Sequence, residues 1–336
     1  MLTPRTRDTL HGIAPPRDRT LWLHQPIERS LPPSFRERYA AFRRTQPRTP
    51  RLTKRMVNAR GLDFAVFTSP AVPGSLPLAC VTGGMIYSHA LLWPALSPLA
   101  AGRQVILYDL RGRGASQAAP APRQSRVEFD AADVPAIRDA MGFARWDVLG
   151  HSWGGGIAML AAARDPEGTR RLVMVDAVGV TSDWIADLHE AALARLHGRD
   201  RAVLAALDPR LLQDDNPQTH GEYSRAIYPA YFSDPTRIGG FSPPPETSQT
   251  GAAVAALLRR EGYDWRPDAA RVAATTLLIH GSDDVLPPRL AHETAAVITR
   301  ARVEVITGAG HMPFWEQPEW FFRIVSQFLD APDLGR

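Results

Sequence analysis

The chain has 336 residues, of which 44% are apolar and 22% charged, with a formal charge of +4; that is enough for one large domain or two ordinary ones around a buried core. No run approaches the roughly 18 uncharged apolar residues of a membrane span, and the first residues, Met1 to Asp8, lack the apolar stretch of a signal peptide, so a cytoplasmic protein without a membrane partner is expected. The single cysteine, Cys80, excludes an internal disulfide and any multi-cysteine metal site.

Residues 1–55 read as a Pro/Arg-rich arm with one helix. The first 60 residues hold thirteen Arg and one Lys against four acids, whereas the remainder is net negative. Of the 39 cationic residues 38 are Arg, a habit of the whole chain, and no nucleic-acid-binding motif accompanies them, so nucleic acid is not an expected partner. After Pro32-Pro33, Ser34 with Glu37 forms a capping box, and Phe35, Tyr39 and Phe42 fall on one face. That spacing predicts a helix packed on the body.

From Met56 the texture changes. Residues 56–59 and 64–67 read as two strands joined across Arg60-Gly61. Short apolar runs at 78–81, 105–108, 148–149, 172–175, 276–279 and 303–306 then alternate with helical stretches. This predicts the α/β class: a mostly parallel central sheet flanked by helices on both faces. The interval 177–272 breaks the rhythm. Ile185, Leu188, Ala192, Leu193 and Leu196 form one helical stripe and residues 252–258 suggest another, so the core spans 56–176 and 273–336 around a helical lid at 177–272.

Chemistry begins at Gly150-His151-Ser152-Trp153-Gly154, between an apolar strand and a helical stretch. A serine on so sharp a turn is pushed clear of the backbone, and glycine is needed on both sides because side chains there would collide. A serine nucleophile needs a base and an orienting acid, since a free hydroxyl is weakly nucleophilic at neutral pH. In this arrangement both follow downstream, on loops after later strands. One such loop is His280-Gly281-Ser282-Asp283-Asp284, the other Thr307-Gly308-Ala309-Gly310-His311. Of ten histidines only His311 has both the loop position and the chain order; His151, adjacent to the serine in a tight turn, points away from it, and His280 ends a buried strand. The chemistry of the residues does not separate Asp283 from Asp284.

These pieces, with Thr82-Gly83-Gly84 and the run Asp109-Leu110-Arg111-Gly112-Arg113-Gly114-Ala115-Ser116, and with His311-Met312-Pro313-Phe314-Trp315-Glu316-Gln317-Pro318, stand in one order over residues 56 to 330. The sequence resembles an α/β-hydrolase-fold serine hydrolase with a lid domain, and within that superfamily the proline-iminopeptidase-like, S33-type group. The resemblance implies Ser152 as nucleophile, His311 as general base and acid, and Asp284, three residues after the loop glycine, as orienting carboxylate. It implies an oxyanion hole of the Trp153 and Gly84 backbone N–H groups. Where proline iminopeptidases usually show His-Gly-Gly-Pro-Gly, this chain has Thr82-Gly83-Gly84-Met85-Ile86; a backbone donor survives that change, while the loop shape behind aminopeptidase specificity does not carry over.

Other features take plainer readings. Asp109, Arg111 and Gly112 read as a turn scaffold and Cys80 as a small buried hydrophobe. His189-Glu190 and His292-Glu293 lack the second histidine of a zinc helix, Gly112-Arg113-Gly114 lacks the third glycine of a dinucleotide loop, and no lysine follows Ser152 as in a phosphate loop. No metal and no cofactor are expected. Met85, Tyr87 and Phe314 are candidates to line a substrate pocket and are equally suited to packing beside it. The expected partner is a small-molecule substrate; the oligomeric state is not indicated. The expected function is hydrolysis of an ester or lactone, or an amide, of a small, largely apolar molecule through an acyl-enzyme. A proline-iminopeptidase-like aminopeptidase, a carbon–carbon bond hydrolase and a non-catalytic receptor on the same fold remain alternatives.

Overall fold

A computed structural model describes residues 33–239 and 241–333; the segment of the basic arm before residue 33 lies outside the described residues. The first element within them is α1 (Phe35–Arg44), opened by the expected capping box: Glu37 accepts from the Ser34 N–H at 2.8 Å and the Ser34 hydroxyl accepts from the Glu37 N–H at 3.3 Å. Phe35, Tyr39 and Phe42 are all buried, one turn apart along the face that meets the body.

β1 (Thr53–Ala59) and β2 (Leu62–Thr68) form an antiparallel hairpin with Ala59 opposite Leu62. Arg60 and Gly61 both have positive φ, 52° and 76°, the geometry that matches a two-residue turn to strand twist. The remaining strands are β3 (Leu78–Val81), β4 (Val105–Tyr108), β5 (Trp146–His151), β6 (Thr169–Val175), β7 (Thr275–Gly281) and β8 (Ala301–Ile306), and the sheet runs β1-β2-β4-β3-β5-β6-β7-β8. β2 meets β4 antiparallel; from β4 to β8 every pairing is parallel. The apolar runs located all eight strands but undersized several. β5 reaches back past Val148 to Trp146 because the charge of Asp147, buried inside the strand, is held by a two-pronged bond from Arg170 at 2.9 and 2.6 Å.

Neighbouring residues on these strands feed two separate cores, as expected of a sheet covered on both faces. Val148, Leu172 and Leu278 point to the side of α2 (Val127–Ala140) and α3 (Trp153–Arg164), while Leu149, Val173 and Leu277 point to the side of α1 and α11 (Pro318–Asp330). Between β6 and β7 the chain leaves the sheet for α4 (Trp184–Arg195), α5 (Gly198–Ala205), α6 (Pro217–Ile227), α7 (Gln249–Glu261) and the short α8 (Arg266–Ala269). After β7 come α9 (Arg289–Val297) and, beyond β8, α10 (Pro313–Glu316). Among the described residues no helix is long and apolar enough to cross a membrane. Because β3 to β8 run parallel, the residues that follow them emerge at one edge of the sheet, where an open α/β sheet carries its site.

The α1 helix is anchored by aromatic packing: the Phe42 and Phe322 rings stack with centroids 5.4 Å apart, and the Tyr39 hydroxyl donates to the Ala95 carbonyl at 2.6 Å. Truncating Phe42→Ala should lower unfolding stability by about 3–5 kcal/mol, the range for a buried phenylalanine. Denaturant unfolding checks this, and an unchanged midpoint would mean that α1 is not part of the cooperative core.

Candidate active site

Ser152 stands between β5 and α3 with φ 54° and ψ −121°, a left-handed conformation that an L-residue adopts only under constraint. The constraint is visible in its surroundings. The Ser152 N–H donates to the Val175 carbonyl at 2.8 Å, and its own carbonyl accepts from Gly155 at 2.9 Å. A Cβ on Gly150 would collide with the Gly154 carbonyl, and one on Gly154 would collide with the carbonyls of Val81 and Thr82. The helix can therefore start this close to the sheet only with glycine at both positions, and the serine between them is turned outward.

The two downstream loops converge beside it. His311 Nδ1 lies 2.8 Å from Asp284 Oδ2, and both side chains are buried. Asp284 also accepts the Leu286 N–H at 3.1 Å through its other oxygen, whereas Asp283 is exposed. Of the two adjacent carboxylates, only Asp284 faces the histidine. Burial alone would raise the Asp284 pKa, but the facing His311 and His280 outweigh it and hold the carboxyl well below the usual range.

A second carboxylate stands behind the first. Asp176, directly after β6 with φ 43°, accepts the Gly281 N–H at 2.7 Å, and His280 Nε2 lies 2.7 Å from the Leu286 carbonyl and 3.3 Å from Asp284. Burial, reinforced by the neighbouring Asp284 charge, pushes Asp176 well above the ordinary carboxylate range. The two carboxyls are pushed in opposite directions, Asp284 facing His311 downward and Asp176 behind it upward. Ligating atoms of Asp176, His280 and Asp284 lie within 4.8 Å of one another; hydrogen bonds to Gly281, Leu286 and His311 engage one atom of each, while Asp176 Oδ2 and His280 Nδ1 are buried without a hydrogen-bond partner among the described residues.

The loop carrying His311 is braced by residues to which the sequence assigned no role. The His311 N–H donates to the Tyr231 carbonyl at 2.6 Å, and the Tyr231 ring stacks on the imidazole with centroids 4.6 Å apart. The Glu316 carboxylate, buried, accepts from Gly310 and Ser233 N–H groups at 2.8 Å each, tying the loop to the helical insertion; burial pushes its pKa up to about 7. His151 reaches beneath, its Nε2 2.8 Å from the His311 carbonyl; burial, then the nearby His311, lowers its pKa to about 3, so it is neutral and Nε2 donates.

Gly84, Met85, Ser152 and Trp153 line one cavity of about 100 Å³ between the sheet edge and the insertion. The Trp153 N–H opens α3, where the first amides lack intrahelical acceptors, and neither it nor the Gly84 N–H finds an acceptor among the described residues. Arg113 holds the loop that carries Gly84 by donating to the Met85 carbonyl at 2.8 Å while its guanidinium pairs with Asp130. Asp109 acts as the expected turn scaffold, accepting from the His89 and Ala115 N–H groups at 2.9 Å each. A larger, open hollow of about 770 Å³ beside α1, lined by Arg36, Arg43, Arg44, Thr49 and Ser242 among others, contains none of the residues gathered around Ser152 and is not the candidate active site.

Two expectations for the pocket need correction. Phe314 does not line the cavity: α10 turns its ring away from the opening into the aromatic core, 5.2 Å from His151 and 5.8 Å from Phe321. Tyr87 does not line it either; its ring packs against Gly84, where a Cβ on that glycine would strike it. Met85 does line it.

Residues 77–318 match the family model described as alpha/beta hydrolase fold. The chain belongs to the α/β hydrolase fold family. It is 32% identical over 237 residues to a 2-hydroxymuconate semialdehyde hydrolase of Pseudomonas putida, covering 69% of this chain and 78% of that protein. It is 26% identical over 281 residues to the proline iminopeptidase of Lactobacillus delbrueckii subsp. bulgaricus, covering 76% of this chain and 90% of that one. Among solved structures, the proline iminopeptidase of Mycobacterium smegmatis superposes with a TM-score of 0.61 at 24% identity, covering 82% of this chain and 97% of that chain, a likeness of fold. This α/β hydrolase is thus similar both to an iminopeptidase and to a hydrolase of another substrate class.

Replacing Asp284→Asn should lower kcat/KM by about 10³- to 10⁴-fold, while Asp283→Asn should stay within about threefold, as expected of an exposed residue. Because the Asp284 pKa lies below its ordinary 3.8, its stabilising effect is fully present above that pH and is lost only as pH falls further. The acid limb of the wild-type pH–rate profile should therefore show a single proton, with no second inflection between about pH 4 and 6.

Proposed function

We propose that this α/β hydrolase cleaves an ester or lactone of a small, largely apolar acid through a Ser152 acyl-enzyme. In the first step the Ser152 hydroxyl oxygen bonds to the carbonyl carbon while His311 Nε2 takes its proton. The oxyanion rests on the Trp153 and Gly84 N–H groups. The bond to the leaving oxygen then breaks and His311 returns the proton to it. In the second step water bonds to the acyl carbon, His311 takes its proton, and the acid departs as Ser152 regains its hydrogen. Asp284 keeps Nδ1 protonated and stabilises the imidazolium in both steps.

The observation that carries this reading is the lining of the cavity. Apart from the reacting groups, its walls include Ile86, Val178, Trp184, Leu188, Leu212 and Leu286, and among the described residues no carboxylate side chain lines it. An aminopeptidase must bind a protonated amine. The acids that sequence reading offered for that purpose lie elsewhere: Glu190, Asp214, Asp215 and Glu222 are exposed, and Glu246 is spent on the Ser88 N–H and hydroxyl at 2.6 Å each. The cavity of about 100 Å³ is smaller than the usual ligand pocket of roughly 300–1,000 Å³, so the acyl group is short and a bulky leaving group requires the helical insertion to act as a lid and shift outward. A second reading, hydrolysis of a carbon–carbon bond, is favoured by the 32% identity to the 2-hydroxymuconate semialdehyde hydrolase.

Steady-state assays on 4-nitrophenyl butyrate, prolyl-4-nitroanilide and 2-hydroxymuconate semialdehyde separate these readings. The ester should be turned over and the anilide left intact, with Ser152→Ala lowering kcat by about 10⁴- to 10⁶-fold. Faster turnover of the anilide would overturn the proposal in favour of an aminopeptidase, and faster consumption of the semialdehyde would establish the carbon–carbon reading. No turnover of any substrate, together with tight binding, would point to a receptor.

A further inference from the structure

Arg259 lies on the inner face of α7, one turn beyond Ala255, and both residues line the same cavity as Ser152. Among the described residues the fully buried guanidinium groups are paired with carboxylates. Arg103 pairs with Asp330 and Asp147, Arg111 with Asp133, and Arg113 with Asp130. Arg259, half-buried, differs: among the described residues no carboxylate lies within ion-pairing distance of it, and, unlike the half-buried Arg195 and Arg237, its guanidinium donates to no carbonyl. It faces the Tyr223 ring, with the guanidinium carbon 5.9 Å from the centroid. Nor do the nearby phenols supply a charge, since burial pushes Tyr223 up to about 12 and Tyr231 higher still, leaving both neutral. Burial also lowers the Arg259 pKa from 12.5, though a guanidinium remains charged at neutral pH. The other ionisable side chain on this wall, His220, is lowered by burial and donates Nε2 to the Asp214 carbonyl at 2.9 Å, so it too is neutral.

A cation taken partly out of water without a protein partner is costly unless a ligand supplies the opposite charge. The α7 helix keeps small side chains at Ala252, Ala255 and Ala256, so little stands between the guanidinium and the apolar chamber. We infer that Arg259 binds a carboxylate at the end of the substrate remote from the bond attacked by Ser152, so that the preferred substrates are monoesters of short dicarboxylic acids or other acyl compounds with an anionic tail. The planar fork of the guanidinium grips both carboxylate oxygens, and the apolar walls enclose the methylenes between. This rests on the Ser152 hydrolase reading and adds the charge of the substrate to it.

The test compares the monoethyl esters of succinic, glutaric and adipic acids with the corresponding ethyl ester monoamides, which are neutral and nearly isosteric, by proton release at constant pH. At the best chain length the anion should be preferred in kcat/KM by about 10- to 100-fold, the worth of a charged hydrogen-bonded pair. In Arg259→Gln that ratio should fall to about one, and Arg259→Lys should restore part of it, with circular dichroism confirming that both variants fold. A wild-type ratio near or below one at all three lengths would overturn the inference, as would an equal loss on anion and amide in Arg259→Gln. Calorimetric binding of monoethyl adipate and its monoamide to Ser152→Ala separates the two layers. Selective anion binding without wild-type turnover would sink the hydrolase reading and keep the anion site; turnover without charge preference would do the reverse.

Discussion

Everything in the site depends on one backbone constraint, the positive φ of Ser152. The serine is held there because β5 passes into α3 with no room for a side chain at Gly150 or Gly154, and because its N–H is tied to Val175 on the neighbouring strand. The same tight turn places the first free amide of α3 at Trp153, so the proposed nucleophile and its proposed oxyanion donor arise from one piece of geometry. The neighbouring parallel strands then need only short loops to bring Asp284 and His311 to the same edge of the sheet.

Around that edge, buried carboxyl groups are arranged in tiers. Asp284 faces His311; Asp176 behind it accepts the Gly281 N–H; Glu316 ties the His311 loop to the insertion through two amides. Each tier fixes the one in front of it, and a reacting imidazole benefits from such rigidity because small displacements are costly to catalysis. The insertion supplies the opposite wall, where Leu188, Leu212 and Ile227 stand beside His220, Tyr223, Ser224 and Arg259.

Much of the fold was legible in the sequence because its causes are local. Strand period, the capping box at Ser34 and the Arg60-Gly61 turn are decided within a few residues, and the glycines flanking Ser152 announce the elbow by themselves. What local patterns did not resolve is what tertiary proximity decides. Asp283 and Asp284 have the same chemistry, and only the packing that exposes one and buries the other separates them. Phe314 and Tyr87 are close to the site in sequence, but α10 and the Gly84 loop aim their rings elsewhere. Tyr231, Asp176 and Arg259 carried no sequence signal, and Glu316 stood in the run from His311 to Pro318 without a role, since each matters through a partner from a distant segment.

The central claim, that the constrained serine is a nucleophile activated through His311 and Asp284, is tested most directly by covalent labelling with a fluorophosphonate followed by intact-mass and peptide analysis. The account predicts a single adduct on Ser152 that forms much more slowly in His311→Ala. An unlabelled wild-type protein, or an adduct on another residue, would contradict it.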